Sequence, residues 1–325
     1  MLYSMNQMHI PDGFLTIVVA AVFWIISGLV LLVALRKVNK DLKERDFPLM
    51  GILGAAIFAG QMINFSVTGG TSGHLMGAAL ATILLGPWQA IIVMTSVVSV
   101  QAVIFQDGGI LALGANIFNM GIIAVTVTYF VKQIIEKLIK DTRRGLLSSS
   151  FLSAWFSVFI SSLSAALMLS ISGTSPANLA IPAMAGIHTL IGIGEGLITL
   201  SAVTFIYTNR RDLLNMKSLK QTGNQSILVS GVLVTLVLAI LAPIASSHPD
   251  GLEWVASKIG FISLAKEPLY QLIPDYLIPG LQNEFVATIL AGIIGAFIVF
   301  SIIYAIAYNR RKLTRQEVFS VERYK

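Results

Sequence analysis

The chain has no cysteine among its 325 residues. That excludes disulfides, thiolate-bound metal sites and iron–sulfur clusters. Charge is scarce: Asp, Glu, Lys and Arg make up 12% of the chain, against about 25% in a soluble domain. Histidine is scarcer still, with His9, His74, His188 and His248 as the full set. No Gly-x-x-x-x-Gly-Lys-Ser/Thr phosphate loop is present, so nothing in the chain points to ATP hydrolysis of its own. No His-Glu-x-x-His and no Gly-x-Ser-x-Gly occurs, which removes the commonest hydrolase signatures. Residues 1–13 contain neither Lys nor Arg, so the basic n-region of a signal peptide is missing.

What the chain does have is apolar length. Hydrophobic residues make up 55%, in several runs of about 20 residues, enough to cross roughly 30 Å of hydrocarbon as helix. The runs are continuous, not alternating, so helices are expected in place of a barrel. All but two of the 22 Lys and Arg, Lys258 and Lys266, fall in segments 36–45, 132–144, 210–220 and the tail after 309. By the positive-inside rule these four are cytoplasmic. The net charge of +6 is therefore a topology signal and implies no nucleic-acid partner. An even number of crossings between the first two basic loops then gives nine spans: 14–35, 47–66, 71–86, 88–105, 110–131, 147–172, 180–208, 227–245 and 285–307. The expectation is an all-α bundle with its N-terminus outside and its C-terminus cytoplasmic.

A short polar stretch at 221–226, Gln-Thr-Gly-Asn-Gln-Ser, divides the chain into a seven-span unit (1–220) and a two-span unit (221–325). The second encloses an outside loop, 246–284, with Pro249-Asp250-Gly251-Leu252-Glu253-Trp254. No internal repeat or low-complexity tract is present. His248 lies in this loop and reads as solvated.

Polar groups within spans are costly and mark pairings, pathways or pockets. His74 follows the glycine-rich Gly69-Gly70-Thr71-Ser72-Gly73, at an outer span end, where His9 is also expected. It reads either as a metal ligand or as an interfacial histidine on a turn. His188 and Glu195 are seven residues apart, two helical turns, and so project from one face. They read as a hydrogen-bonded pair locking helices, or as an acid–base pair. Gln61, Asn64, Ser72, Gln106 and Asn116, with Gln101, Asp107 and Asn119 nearby, either glue helices together or line a small polar cavity.

Met8-His9 carries a sharper reading. If residue 8 is the first of the chain, its amine and the His9 amide close a five-membered ring on a metal. That amide and His9 Nδ1 close a six-membered one. Three nitrogens then lie in one plane, with His74 the candidate for the fourth corner. Planar nitrogen donors suit Ni(II) and Cu(II), with Co(II) less committed. If the chain starts at Met1, residues Met1–Gln7 convert the amine to a weaker amide. The reading expects intact mass to show Met8 first.

Several stretches together resemble a known family. They are Met8-His-Ile-Pro-Asp-Gly-Phe-Leu15, Gln61-Met-Ile-Asn-Phe65, Gly69-Gly-Thr-Ser-Gly-His-Leu75, Phe105-Gln-Asp-Gly-Gly109 and Leu113-Gly-Ala-Asn-Ile-Phe-Asn-Met120. They resemble the substrate-binding components of energy-coupling factor transporters for nickel and cobalt, the NikM and CbiM type, over about residues 8–210. The loop Pro249–Trp254 resembles the small NikN-like auxiliary component, fused here. The resemblance implies capture of Ni(II) or Co(II), nickel favoured, at the extracytoplasmic face through Met8, His9 and His74. It also implies no resident cofactor, a bacterial or archaeal cell membrane, a separate transmembrane coupling protein and two cytosolic ATPases. Two other readings compete: an intramembrane enzyme using His188 and Glu195, and a binding component for a small organic solute.

Overall fold

The computed structural model describes residues 8–38, 46–214 and 224–322. In chain order these form α1 (Ile17–Val38), α2 (Asp46–Gln61), strands β1 (Asn64–Val67) and β2 (Thr71–His74), α3 (Ala78–Leu85) and α4 (Pro87–Val100). Then follow α5 (Leu113–Asn116), α6 (Ala124–Leu138), α7 (Thr142–Ile171), α8 (Ala177–Asn209), α9 (Asn224–Leu241), α10 (Gly251–Ile259) and α11 (Glu284–Glu322). A π turn at Gln101–Phe105 extends α4, and a π segment at Ile117–Ile123 joins α5 to α6. The helices near the site are thus locally underwound, and such π insertions are frequent at functional sites.

Seven helices among the described residues are long and apolar enough to cross a membrane. They match the expected spans 14–35, 88–105, 110–131, 147–172, 180–208, 227–245 and 285–307. The other two expected spans differ. α2 has 16 residues, about 24 Å at 1.5 Å per residue. The 71–86 stretch is not one helix: its first part is β2, and α3 has only eight residues, about 12 Å. The cause is local. Gly69 and Gly70 take φ of 98° and 76°, conformations open to glycine at little cost. They close an antiparallel hairpin in which Asn64 pairs with His74 and Val67 with Thr71. Thr71 and Ser72 of β2 are fully buried, so this strand is enclosed by protein, while the tip Thr68–Gly70 is exposed.

Of the expected divide at 221–226, Gln221–Gly223 lie outside the described residues, and Asn224–Ser226 already belong to α9. α9 and α11 pack on α2: a Cβ on Gly231 would meet Ile52, and one on Gly51 would meet Phe300. α7 lies along α8, where a Cβ on Gly192 would meet Trp155 and one on Gly196 would meet Phe151, while the buried Ser149 and Ser161 of α7 bond Glu136 and Asn119. Small side chains at i, i+4 spacing let helix backbones approach closely in a membrane. Large apolar side chains on the opposite faces, such as Ile17 and Val18 on α1, are exposed and form the lipid-facing surface.

Candidate metal centre

The site starts where α4 ends. Gln106 takes a left-handed φ of 56° and Asp107 N donates to Gln101 O at 3.1 Å. This turns the Asp107 carboxylate inward, where it is buried. The N-terminal segment is laced across this turn. Met8 N donates to Asp107 Oδ1 at 2.7 Å, and His9 Nδ1 bonds the same oxygen at 2.9 Å. Asn116 grips the next residue from both sides: Ile10 N donates to its Oδ1 and its Nδ2 donates to Ile10 O, each at 3.0 Å. Gly109 N donates to Ile10 O and Ala112 N to Asp12 Oδ1. Glycines 108 and 109 make this crossing possible, since a Cβ on Gly108 would lie 2.8 Å from His9 Cβ and one on Gly109 2.0 Å from Asp12 Oδ1.

Burial works against charge on both His9 and Asp107, but each is the other's counter-ion. The carboxylate lifts His9 above its usual 6.5, and the imidazole beside it holds Asp107 below the usual carboxylate range. His9 Nε2 is buried and has no hydrogen-bond partner among the described residues.

His74 ends β2. Its ring centroid lies 5.9 Å from that of His9, so the expected meeting of the two histidines is present. His74 Nδ1 is 3.0 Å from Leu75 O, and the ring also bonds the Met8 backbone. The chain after it is pinned by two side chains. Glu195 accepts from Met76 N at 2.7 Å through one oxygen and from Gly77 N at 2.9 Å through the other. Gln61 Nε2 donates to Met76 O at 2.8 Å. Glu195 thereby sits at the N-terminus of α3, where the helix dipole favours a carboxylate. The expected pairing with His188 is absent because both Glu195 oxygens are taken by backbone N–H groups. His188 instead bonds Met184 O through Nδ1 at 2.9 Å.

Met8, His9, His74, His188, Asn116 and Asp250 line one cavity of about 90 Å³, with Ser161 and Ser162 on another side. Among the described residues no three His, Asp or Glu side chains are grouped to hold a metal ion unaided. Of the other expected cavity residues, Gln106 turns away and accepts from Leu272 N at 3.2 Å. Ser72 donates from Oγ to His248 O at 2.8 Å. Gln61 and Asn64 each keep a buried side-chain oxygen without a partner among the described residues.

Three further residues contribute: Asp107, read in the sequence only as one of a polar set, and Asp250 and Tyr276, not singled out there. The last two come from the loop between α9 and α11. Ser72 N donates to Pro249 O at 2.8 Å, and Trp254 Nε1 to Gly69 O at 3.1 Å, which seats the loop on the hairpin. Asp250 caps α10 by accepting from Glu253 N, and burial pushes its carboxyl up to about 7. Tyr276 donates to Asp107 Oδ2 at 2.6 Å. The signal available for Asp107 was its place between a polar residue and two glycines; Tyr276 lies in a stretch without any motif.

The geometry can be set beside known proteins. A family model described as the cobalt uptake substrate-specific transmembrane region, CbiM, matches residues 9–213, and a PDGLE domain model matches residues 225–312. A chain of Archaeoglobus fulgidus named for a fused nickel transport protein NikMN is 35% identical over 94% of this chain and 99% of its own length. The fused nickel transport protein NikMN of Rhodobacter capsulatus is 28% identical over 95% of this chain and 99% of its own. A crystal structure of a truncated transition metal transporter superposes with a TM-score of 0.56 at 37% identity, covering 62% of this chain and 99% of that one. This multi-pass membrane protein belongs to the CbiM family, with a PDGLE domain following the CbiM region in the same chain.

Proposed function

We propose that the protein captures a divalent transition-metal ion, nickel before cobalt, through Met8, His9 and His74, and delivers it across the membrane. The observation that carries the reading is a convergence. Met8 N and His9 Nδ1 lie 2.7 and 2.9 Å from one point, the Asp107 Oδ1 atom. These are the two outer nitrogens of the fused five- and six-membered chelate, already folded toward each other. An ion that takes the position of that oxygen gains both, with the His9 amide between them. With metal–nitrogen bonds of about 2.0 Å, imidazoles on adjacent corners of one ion hold their centroids about 4.5 Å apart, so His9 and His74, at 5.9 Å, need to close by only about 1.4 Å. That main-chain nitrogens are needed agrees with the lack of a sufficient side-chain cluster. The start of the chain, on which the amine form of Met8 N depends, falls on Met1–Gln7, outside the described residues.

A planar set of nitrogens favours Ni(II), and relatives with the same two-part arrangement are named for nickel. The metal is substrate, not a resident cofactor. In this reading the His9 end of the bundle faces outward and the C-terminus is cytoplasmic. Residues 1–220 form the binding unit and 221–325 the auxiliary unit. A separate transmembrane coupling protein and two cytosolic ATPases supply the energy, in the manner of energy-coupling factor transporters.

Two observations weigh against the competing readings. The cavity of about 90 Å³ is far below the roughly 300–1,000 Å³ of organic-ligand pockets. The Glu195 oxygens are both committed to backbone N–H groups, which leaves His188 without an acid partner. The test is a Ni(II) titration of the purified protein in detergent. His9→Ala and His74→Ala should each abolish high-affinity binding; retention of binding by both variants would overturn the siting.

A further inference from the structure

We propose that Tyr276, supplied by the PDGLE domain, is a positioning residue for the metal ligands: its hydroxyl holds Asp107, and Asp107 holds Met8 N and His9. The proposal rests on the metal-site reading above and names a task for the C-terminal unit within it.

Four observations carry it. First, the bond is short and buried: Tyr276 Oη lies 2.6 Å from Asp107 Oδ2, and both residues are less than a tenth exposed. Second, the two carboxylate oxygens divide their work. Oδ2 takes the tyrosine, while Oδ1 takes Met8 N and His9 Nδ1. Rotation of the carboxylate would break both sets, so fixing one oxygen aims the other. Third, Tyr276 is docked by more than its hydroxyl. Its ring stacks on Phe105 with centroids 4.8 Å apart and 14° between planes, and Ile273 N donates to Ile104 O at 3.1 Å. The loop thus follows the same three residues, Ile104, Phe105 and Gln106, that lead into Asp107. Fourth, Asp275 and Tyr276 both take positive φ, 52° and 58°. Non-glycine residues hold such conformations where surrounding contacts over-determine them, and such positions gather at ligand clamps.

A packing role alone would need the ring and not the hydroxyl. Asp107 Oδ1 gathers both ligand nitrogens at one point before an ion arrives, and donors already arranged bind more tightly because less ordering remains to be done on binding. Tyr276 stands one bond further out and acts through Asp107. Burial and the adjacent Asp107 keep its phenol well above 10, so it serves as a neutral donor.

The experiment uses the full chain in detergent with Ni(II) as the probe. Affinity by calorimetry and thermal unfolding are measured for the wild type, Tyr276→Phe, Asp107→Asn and the double variant. Phenylalanine keeps the stacking on Phe105. The expected result is a weakening of about tenfold in Tyr276→Phe, from loss of that pre-arrangement, with unfolding within a few degrees of wild type. In the Asp107→Asn background, the same substitution should cost less than about threefold, because the route through the carboxylate is already broken. Unchanged affinity in Tyr276→Phe, or an equal cost in both backgrounds, would overturn the proposal while leaving the ligand siting intact. Binding that survives His9→Ala would instead sink the metal-site reading itself.

Discussion

Glu195→Gln isolates how the His74 turn is held. Glu195 is fully buried and spends both oxygens on the N–H groups of Met76 and Gly77, at 2.7 and 2.9 Å. Those groups open α3, and Gly77 at φ 77° makes no side-chain cap of its own. Hydrogen bonds to a charged partner are worth about 1.5–3 kcal/mol each. Glutamine keeps one acceptor oxygen and turns an amide N–H toward the other donor. One bond is lost, one is weakened, and a buried N–H is left unpaired, for a loss of about 2–4 kcal/mol. At about 2–4 °C per kcal/mol for large domains, thermal unfolding in detergent should fall by about 4–16 °C. Because Met76 is two residues from His74, Ni(II) affinity should fall too, by about tenfold as for other outer partners of a metal ligand. Glu195→Asp, one methylene shorter, should do no better, since it cannot span both N–H groups. An unfolding shift under about 1 °C with unchanged Ni(II) affinity would refute the reasoning.

Other expectations follow from the same geometry. Protons compete with metal for His9, and Asp107 raises that histidine above its usual 6.5. The group is therefore protonated from the alkaline side of 6.5 downward, and Ni(II) affinity should begin to fall above that pH as it is lowered. A titration series flat between about pH 8 and about pH 6 would contradict this. Gly109→Ala places a Cβ 2.0 Å from Asp12 Oδ1 and 2.3 Å from Asp12 N. It should displace the 8–12 segment and cost more than about 100-fold in Ni(II) affinity, or about 2.8 kcal/mol, read by calorimetry. A version of the chain that begins at Met8 should bind Ni(II) more tightly than one that begins at Met1, by more than the about 10–100-fold of an outer-partner loss. Equal affinities would remove the amine from the donor set.

Much of the bundle was legible because lipid demands it. A helix that crosses hydrocarbon needs a continuous apolar run, and seven such runs stand where the hydropathy and basic loops put them. The hairpin at 64–74 was not legible by that signal, since residues 71–86 are as apolar as a span. What breaks the helix is backbone freedom at Gly69 and Gly70, together with Glu195 as an outside partner for the freed N–H groups. The meeting of His9 and His74 followed from topology, with both at the same end. The face shared by His188 and Glu195 was also legible, but their partners were not. Periodicity says which way a side chain leaves its helix, and Glu195 reaches a hairpin more than 100 residues earlier. Tyr276 and Asp250 were invisible for a similar reason: long-range contacts from an irregular loop leave no periodic trace. Asp107 stood in plain view beside two glycines, yet its role depends on the left-handed turn at Gln106, which spacing does not encode.

The most direct test is X-ray absorption at the nickel edge of the Ni(II)-loaded protein. The account predicts a four-coordinate planar shell of nitrogen donors with the outer scattering of two imidazoles, and the loss of one imidazole's scattering in His74→Ala. A six-coordinate oxygen shell, or a spectrum indifferent to His9 and His74, would contradict it.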